Sequence, residues 1–333
     1  MYIIGMTLFY LRTIWVIIPL IGLCIGIYLM ISIFALYQHF FDRFFPKKIG
    51  RNVYGVIEPS SEVYQQIILS GHHDSAQKIR VLDSGFQKLY ALVILALYFF
   101  FLYEIVVIMV GIIYKFEIVS SPVILVGFIL SIPFVVSYFF IITKDASPGA
   151  GDNLIASVFL IELGRYLTKK IKAKEYVLNH TRIIIASFDA EECGLRGSSA
   201  FMKAHEELFK EIPTFHLNFD SLYNLNEIHV LTKDINGFVP LSEEMAEDIV
   251  RIIKNEGISI KKFKMTFGGG GTDAAESARI GIHSTTIIAM PTKIIRNGLV
   301  YHTKRDTVEN IEPAAVEACI KIAWNYIWNK DKR

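Results

Sequence analysis

Cysteine is scarce in this 333-residue chain. There are three, Cys24, Cys193 and Cys319, too few for a disulfide framework, which fits a reducing compartment. Charge is scarce too: Asp, Glu, Lys and Arg make up 20% of the residues and the net charge is +2. That balance gives no electrostatic case for nucleic acid as a partner. Internal repeats and low-complexity segments are absent. What fills the space is apolar, 53% of the residues with a mean hydropathy of +0.41, above the norm for a soluble enzyme of this length.

The apolar excess is concentrated in three runs, Ile14 to Tyr37, Leu89 to Tyr114 and Ile118 to Ile142. Each reaches the roughly 20 residues that a helix needs to cross a bilayer core, so three transmembrane helices and an integral membrane protein are expected. The first run is too long for the apolar region of a signal peptide and no small-residue cleavage pattern follows it. It leads instead into Phe40, Phe41, Phe44 and Phe45 mixed with Arg43, Lys47 and Lys48. Aromatics at headgroup depth and basic side chains reaching water read as an interfacial anchor that stays attached. Basic residues flank the spans unevenly. Arg43, Lys47, Lys48, Arg51, Lys78, Arg80, Lys88 and Lys144 lie on one side, against Arg12 and Lys115 on the other. The positive-inside rule puts the first side in the cytoplasm. Glu104 lies deep in the second run, where a charge is costly and usually functional or bonded to a neighbouring helix.

Outside these runs the pattern alternates between short β-branched segments and amphipathic ones. Strands are expected at 52–57, 63–69, 182–188, 214–219, 228–232, 258–265 and 284–289, and helices at 153–170, 198–210, 242–254, 272–280 and 313–328. This alternation predicts an α/β domain with a mixed, largely parallel sheet and helices on both faces. The expected organisation is an N-terminal membrane anchor over 1–50 with its span at about 14–37. A catalytic domain follows over 51–85 and 144–333, interrupted by a transmembrane hairpin inserted at 86–143.

Chemistry-bearing residues cluster in short motifs, most of them just past the predicted ends of strands or at the starts of helices. They are Gly71-His72-His73-Asp74-Ser75, Gly149-Ala150-Gly151-Asp152-Asn153, Asp189-Ala190-Glu191-Glu192, Asn218-Phe219-Asp220 and Tyr301-His302-Thr303. Ligands in such sheets gather outside the carboxyl ends of the strands. A hydrolytic metal pair needs nitrogen and oxygen ligands, a carboxylate able to bridge, and a free carboxylate to manage protons. His72 and His302 offer imidazoles; Asp152, Glu192 and Asp220 offer carboxylates. Glu191, beside Glu192, can point elsewhere and hold water, and Asp74 can orient the His72 ring. Taken singly, Asp152-Asn153 is an ordinary helix cap and Glu191-Glu192 a solvated pair. Their order and shared placement make them specific.

In this order the motifs resemble those of the co-catalytic zinc aminopeptidases of peptidase family M28. That family carries Gly-His-x-Asp-Ser, Pro-Gly-Ala-x-Asp-Asn, a Glu-Glu pair after a buried strand, Asn-x-Asp and a late Tyr-His-Thr followed by Asp-Thr. They match here at Gly71–Ser75, Pro148–Asn153, Glu191-Glu192, Asn218–Asp220, Tyr301–Thr303 and Asp306-Thr307. The resemblance covers roughly 51–78 and 145–330 and implies a zinc-exopeptidase-like fold with two zinc ions. Asp152 would bridge them, with His72 and Asp220 completing one site and Glu192 and His302 the other. Glu191 would be the general base, supported by Asp74. Asp273 and Tyr301 are implied as weaker substrate-binding candidates.

Departures from the family pattern are also legible. Where the family has Ser-Asp-His, this chain has Gly268-Gly269-Gly270-Gly271-Thr272-Asp273-Ala274, keeping the Asp and losing the His; the four glycines read as a mobile pocket rim or a plain flexible loop. His73 is a spare imidazole rather than a ligand, and Cys193 reads as a small buried side chain. The leading functional expectation is a membrane-integral zinc exopeptidase, an aminopeptidase acting on peptides near the bilayer. Rival expectations are a glutaminyl-cyclase-like enzyme using one zinc, a non-catalytic receptor or scaffold on the same fold, and a transporter, for which three spans are few.

Overall fold

The computed structural model describes residues 1–84, 87–292 and 299–332; the expected start of the inserted hairpin, at 85–86, lies outside them. The chain forms two compact units, one built mainly from Met1–Phe34 and Gln77–Asp145, the other from Ala35–Ala76, Ala146–Thr292 and Val300–Arg333.

Within the first unit, three segments are long and apolar enough to cross a membrane: Ile14–Ala35, Leu92–Ile113 and Pro122–Phe140. The third is shorter than the run in the sequence because Glu117–Ser120 form a separate turn and Pro122, lacking an N–H, opens the helix. A nine-residue helix at Tyr2–Tyr10 precedes the first span; it is too short to cross. Its Tyr2 and Phe9 pack with Val107, Ile108, Phe116 and Phe128, with Phe9 meeting Phe116 and Phe128 edge-on at 5.9 Å. Glu104 is fully buried in this unit. It lies against Gly5, where a Cβ would come within 2.1 Å of its Oε1.

The second unit is a mixed, mostly parallel sheet. Its strands are β1 (Val53–Ile57), β2 (Gln65–His72), β3 (Thr181–Phe188), β4 (Thr214–Leu222), β5 (Ile228–Asp234), β6 (Val239–Pro240), β7 (Lys261–Lys264) and β8 (His283–Ala289). They lie in the order β1-β3-β2-β4-β8-β5-β6, with β7 beside β5. The pairs β3–β2, β2–β4 and β4–β8 are all parallel, whereas β1 and β5 run antiparallel to β3 and β8. Along β2, alternate residues face opposite sides. Ile67 and Leu69 join Phe159, Leu160 and Leu163 of helix α1 (Ile155–Lys172) on one face. Ile68 meets Phe201 and Met202 of helix α2 (Arg196–Ala204) on the other. Both faces are covered, so the central strands read as continuous apolar runs and not as alternating ones. Each such fully buried side chain contributes roughly 1.5–3 kcal/mol.

The expected helix at 198–210 divides into α2 and α3 (Glu206–Glu211), with His205 between them out of helical geometry. The remaining helices are α4 (Glu243–Ile253), α5 (Ala274–Arg279) and α6 (Pro313–Asp331). Where the chain leaves this unit at Ala76 and re-enters it at Ala146 the ends are adjacent, since Ser147 N–H donates to Ala76 O at 2.7 Å.

Candidate metal centre

The carboxyl ends of three adjacent parallel strands build the centre. His72 ends β2, opposite Phe188 of β3, so the residues that follow Phe188 turn toward it. Asp220 lies near the end of β4, on the other side of β2. Gly71 permits this convergence, because a Cβ there would sit 2.7 Å from the Ala156 Cβ and 3.3 Å from the Phe219 carbonyl. Deeper in the sheet, Ser70 Oγ donates to Asn218 Oδ1 at 2.6 Å and also meets His216 Nε2 at 2.6 Å. The motif residue Asn218 therefore ties β2 to β4 inside the sheet and is not at the centre itself. Burial pushes the His216 imidazole down to about 3, so it serves as a neutral member of that network.

Asp152 arrives from the loop before α1. Read from the sequence, this stretch is a helix start capped by Asp152-Asn153; in the structure α1 begins only at Ile155, and Asp152 and Asn153 leave helical φ/ψ. Two tertiary hydrogen bonds account for the difference. Asn153 Nδ2 donates to Phe219 O at 2.7 Å, and Gly151 N–H donates to Asp306 Oδ1 at 2.7 Å. Asp306 is thereby a positioning residue whose motif is visible in the sequence but whose role is not.

Asp152 stands between the two imidazoles. Asp152 Oδ1 lies 3.3 Å from His72 Nε2, and Asp152 Oδ2 lies 3.2 Å from His302 Nε2. Glu192 Oε1 is 3.3 Å from the same His302 nitrogen, and Asp220 Oδ2 is 4.0 Å from His72 Nε2. Sets of ligand atoms compatible with a metal ion are His72, Asp152 and Glu192, and His72, Glu191 and Asp220. His72 Nε2, His302 Nε2, Asp152 Oδ2 and Glu192 Oε1 are buried without a hydrogen-bond partner. Orphaned polar atoms cost about 1–3 kcal/mol each, so four converging on one point fit a group that bonds to all of them. A divalent zinc pair suits this nitrogen–oxygen donor set.

Asp74 organises the centre from behind. His72 Nδ1 meets the Asp74 backbone carbonyl at 3.1 Å and the Asp74 Oδ1 at 3.3 Å, which leaves Nε2 facing inward. The two Asp74 carboxylate oxygens also accept the backbone N–H groups of Glu191 and Glu192, each at 3.1 Å. One residue, through its carbonyl and its carboxylate, thus fixes the ring and the Glu191-Glu192 backbone, and the two Glu side chains diverge. Glu191 Oε2 comes 3.8 Å from His72 Nε2. Tyr301 stacks on His302, with ring centroids 3.7 Å apart. Ala190 and His302 both have φ of 55°, strained for residues with a Cβ by on the order of 1–3 kcal/mol.

Among the protein groups alone, the charges pull the titrations apart. Burial pushes Glu191 well above the usual carboxylate range, with Glu192 and Asp220 adding to the rise against His72. Burial likewise lifts Asp220 and Asp273 to about 7. Burial would raise Asp152 as well, but His302 and His72 hold it below its ordinary value. Both imidazoles are raised despite burial, His302 to about 10 through Glu192 and Asp152. A site with this surplus of carboxylates favours cations.

The other expected residues fall as follows. Asp273 is fully buried at the start of α5 without capping it. His73 points away from the centre and bonds Ser187 Oγ at 2.8 Å. Cys193, expected to be buried, is exposed, because the tight turn after Glu192 carries it outward: Gly194 and Leu195 N–H both donate to Glu191 O at 2.8 Å. The glycine loop is anchored, with Gly268 and Gly270 N–H donating to Asn236 Oδ1 at 2.8 and 3.3 Å. Asn236 had no signal in the sequence.

Gly151 offers a test of this support. A Cβ there would lie 2.1 Å from a ring carbon of Tyr223, which is fully buried and cannot swing aside. Gly151→Ala is expected to cost about 1–3 kcal/mol by overpacking and to displace the Asp152 loop. A lower thermal midpoint together with less zinc retained after dialysis is the expected readout.

The sequence model described as Peptidase family M28 matches residues 135–327, more than half of the chain. A comparison with curated protein sequences gives no match. Among solved structures, the LapA aminopeptidase of Legionella pneumophila aligns with a TM-score of 0.52 at 14% identity, covering 85% of this chain and 56% of its own. BSAP, a zinc aminopeptidase from Bacillus subtilis, gives 0.52 at 18% identity, over 84% of this chain and 49% of its own. The glutaminyl cyclase of Fimbriiglobus ruber gives 0.51 at 11%, over 84% and 74%. At these identities the likeness is one of fold, and it bears out the largely parallel, zinc-exopeptidase-like sheet. The chain spans about half the length of the two aminopeptidases.

Proposed function

The chain belongs to peptidase family M28, and from that premise we propose that it is a membrane-integral zinc aminopeptidase that removes amino-terminal residues from peptides near the bilayer. The observation that carries this reading is Asp152, whose two oxygens face two different imidazoles at 3.3 and 3.2 Å. A single-ion site has no need of that arrangement. His72 and Asp220 would hold one ion, Glu192 and His302 the other, and Asp152 both. Bound zinc would supply Lewis acidity to the scissile carbonyl and to the attacking water.

The rest of the chemistry belongs to the chain. Glu191, held by its backbone to Asp74, accepts a proton from the attacking water and delivers it to the leaving amine. Asp74 keeps the His72 ring in the tautomer with Nε2 turned inward. Tyr301 holds His302 by stacking, and the buried Asp273 adds negative charge that favours a substrate's amino-terminal ammonium. The three apolar helices anchor the enzyme as an N-terminal span and an inserted hairpin around a discontinuous catalytic domain. The excess of basic residues on the catalytic side argues for a cytoplasmic site.

The test uses the full chain purified in detergent, with metal analysis beside product analysis. Two zinc ions per chain and release of a free amino acid from aminoacyl substrates are expected. One ion, with cyclised amino-terminal glutamine and no amino acid released, would select the cyclase reading. No turnover of either substrate class by zinc-loaded protein would select a receptor.

A further inference from the structure

The residues directly after the first apolar span do more than link it to the enzyme domain. Within the second unit, Ala35 to Asp42 form a strap held at four points. Asn236 Nδ2 donates to Ala35 O at 2.9 Å. The Arg279 guanidinium donates to the carbonyls of Leu36 at 2.5 Å and Tyr37 at 3.2 Å. His39 Nε2 meets Gly194 O at 2.7 Å, and Arg196 grips the Asp42 carboxylate through two bonds of 2.6 and 2.9 Å. A bidentate guanidinium–carboxylate pair is directional as well as strong, and it holds Asp42 below the usual carboxylate range.

Two of the anchors belong to the turn after the Glu pair: Gly194 N–H donates to Glu191 O at 2.8 Å, and Arg196 opens the helix that follows. Asn236 is the same residue that pins the glycine loop. Between the anchors, Tyr37 turns inward with φ of 51°. Its ring packs with Leu195, Ile235, Ala275 and Val239. A Cβ on Gly271 would lie 3.5 Å from its Cζ, and one on Gly270 would lie 3.7 Å from its hydroxyl. A Cβ on Gly194, in the turn after Glu192, would lie 3.7 Å from its Cδ1, and burial first, then the charges of Glu191, Asp234, Glu192 and Asp220, push the phenol up. Its hydroxyl makes no hydrogen bond among the described residues. A half-buried aromatic with a free hydroxyl, beside reactive groups and held by a strap, is placed to meet a substrate.

We propose that Tyr37 is a specificity-determining residue whose ring, backed by Leu195, Ile235 and Ala275, forms the pocket wall against the first side chain of the peptide. This deepens the aminopeptidase reading and rests on it. The ring occupies space that would otherwise be lined by three apolar side chains, so the wild-type pocket selects small amino-terminal residues. Tyr37→Ala opens an apolar recess, and Tyr37→Phe keeps the wall while removing only the hydroxyl.

The experiment measures kcat/KM of the full-length zinc-loaded protein for alanyl and leucyl p-nitroanilides. Tyr37→Ala is expected to shift the Leu/Ala ratio upward by about 10-fold or more, the discrimination that a few methylenes of apolar contact provide. Tyr37→Phe is expected to keep the wild-type ratio. Calorimetric binding of Leu-Ala and Ala-Ala dipeptides to chains that also carry Glu191→Gln should show the same shift without turnover. An unchanged ratio in both assays, or a parallel loss for both substrates with unaltered zinc content, would overturn the proposal and leave the strap a structural tether. Failure of the wild type to cleave any aminoacyl substrate would instead count against the aminopeptidase reading, and the dipeptide binding ratio would still decide the role of Tyr37.

Discussion

Glu191→Gln is expected to lower kcat by about 10²–10⁴-fold, the range over which a positioned general base acts, and to leave the zinc content at the two ions per chain expected of the wild type. Gln keeps the size of the side chain and its backbone bond to Asp74 Oδ1 at 3.1 Å, but it cannot accept the proton of the attacking water. Pairing the rate with metal analysis makes the result decisive. Glu191 also belongs to one of the two sets of ligand atoms, with His72 and Asp220. Loss of an ion on substitution would show that it is a ligand, and the general-base assignment would then fail. Near-normal turnover would sink that assignment just as surely.

Asp152→Asn is expected to remove both ions and with them all measurable activity. An amide can offer one oxygen, yet the site needs a carboxylate whose two oxygens face His72 Nε2 at 3.3 Å and His302 Nε2 at 3.2 Å. Wild-type protein should gain stability from zinc by linkage, about 2.7 kcal/mol at a free concentration 100 times the dissociation constant. Its thermal midpoint therefore falls when a chelator is added, whereas the midpoint of Asp152→Asn is insensitive. A variant that keeps one ion at wild-type affinity would contradict the bridging role. The two imidazoles add a pH dependence with a defined sign. Glu192 and Asp152 raise His302 to about 10 among the protein groups alone, so zinc displaces protons on binding. Its affinity should rise with pH and weaken as pH falls, and proton release should accompany loading in unbuffered solution.

How much of this was legible beforehand follows from which interactions are local. Apolar runs and strand–helix alternation are properties of short windows, so the three candidate spans and the α/β sheet could be read directly. The motif order brought His72, Asp152, Glu191, Glu192, Asp220 and His302 forward as one set, because most of them sit where a strand ends or a helix begins. The bridge itself could not be read. It depends on Gly151 and Asn153 bonding to Asp306 and Phe219, residues 155 and 66 positions away, and those bonds override the cap that Asp152-Asn153 would otherwise form. The split at His205 and the outward turn of Cys193 have the same origin in backbone geometry that no local pattern encodes.

By itself, the sequence determined the chemistry available and its order along the chain: two imidazoles, a surplus of carboxylates and three segments able to enter a bilayer. Only the tertiary structure decided which of these groups share a point in space. It converted Asn218 from a motif residue into a tie within the sheet, and it fastened Ala35 to Asp42, where the first apolar run ends, as a strap on the second unit. The physical reason is that the strap is held by polar contacts to Asn236, Arg279, Gly194 and Arg196, between 154 and 243 residues away. Contacts of that range leave no periodic signature, since each depends on the fold that brings its partner near.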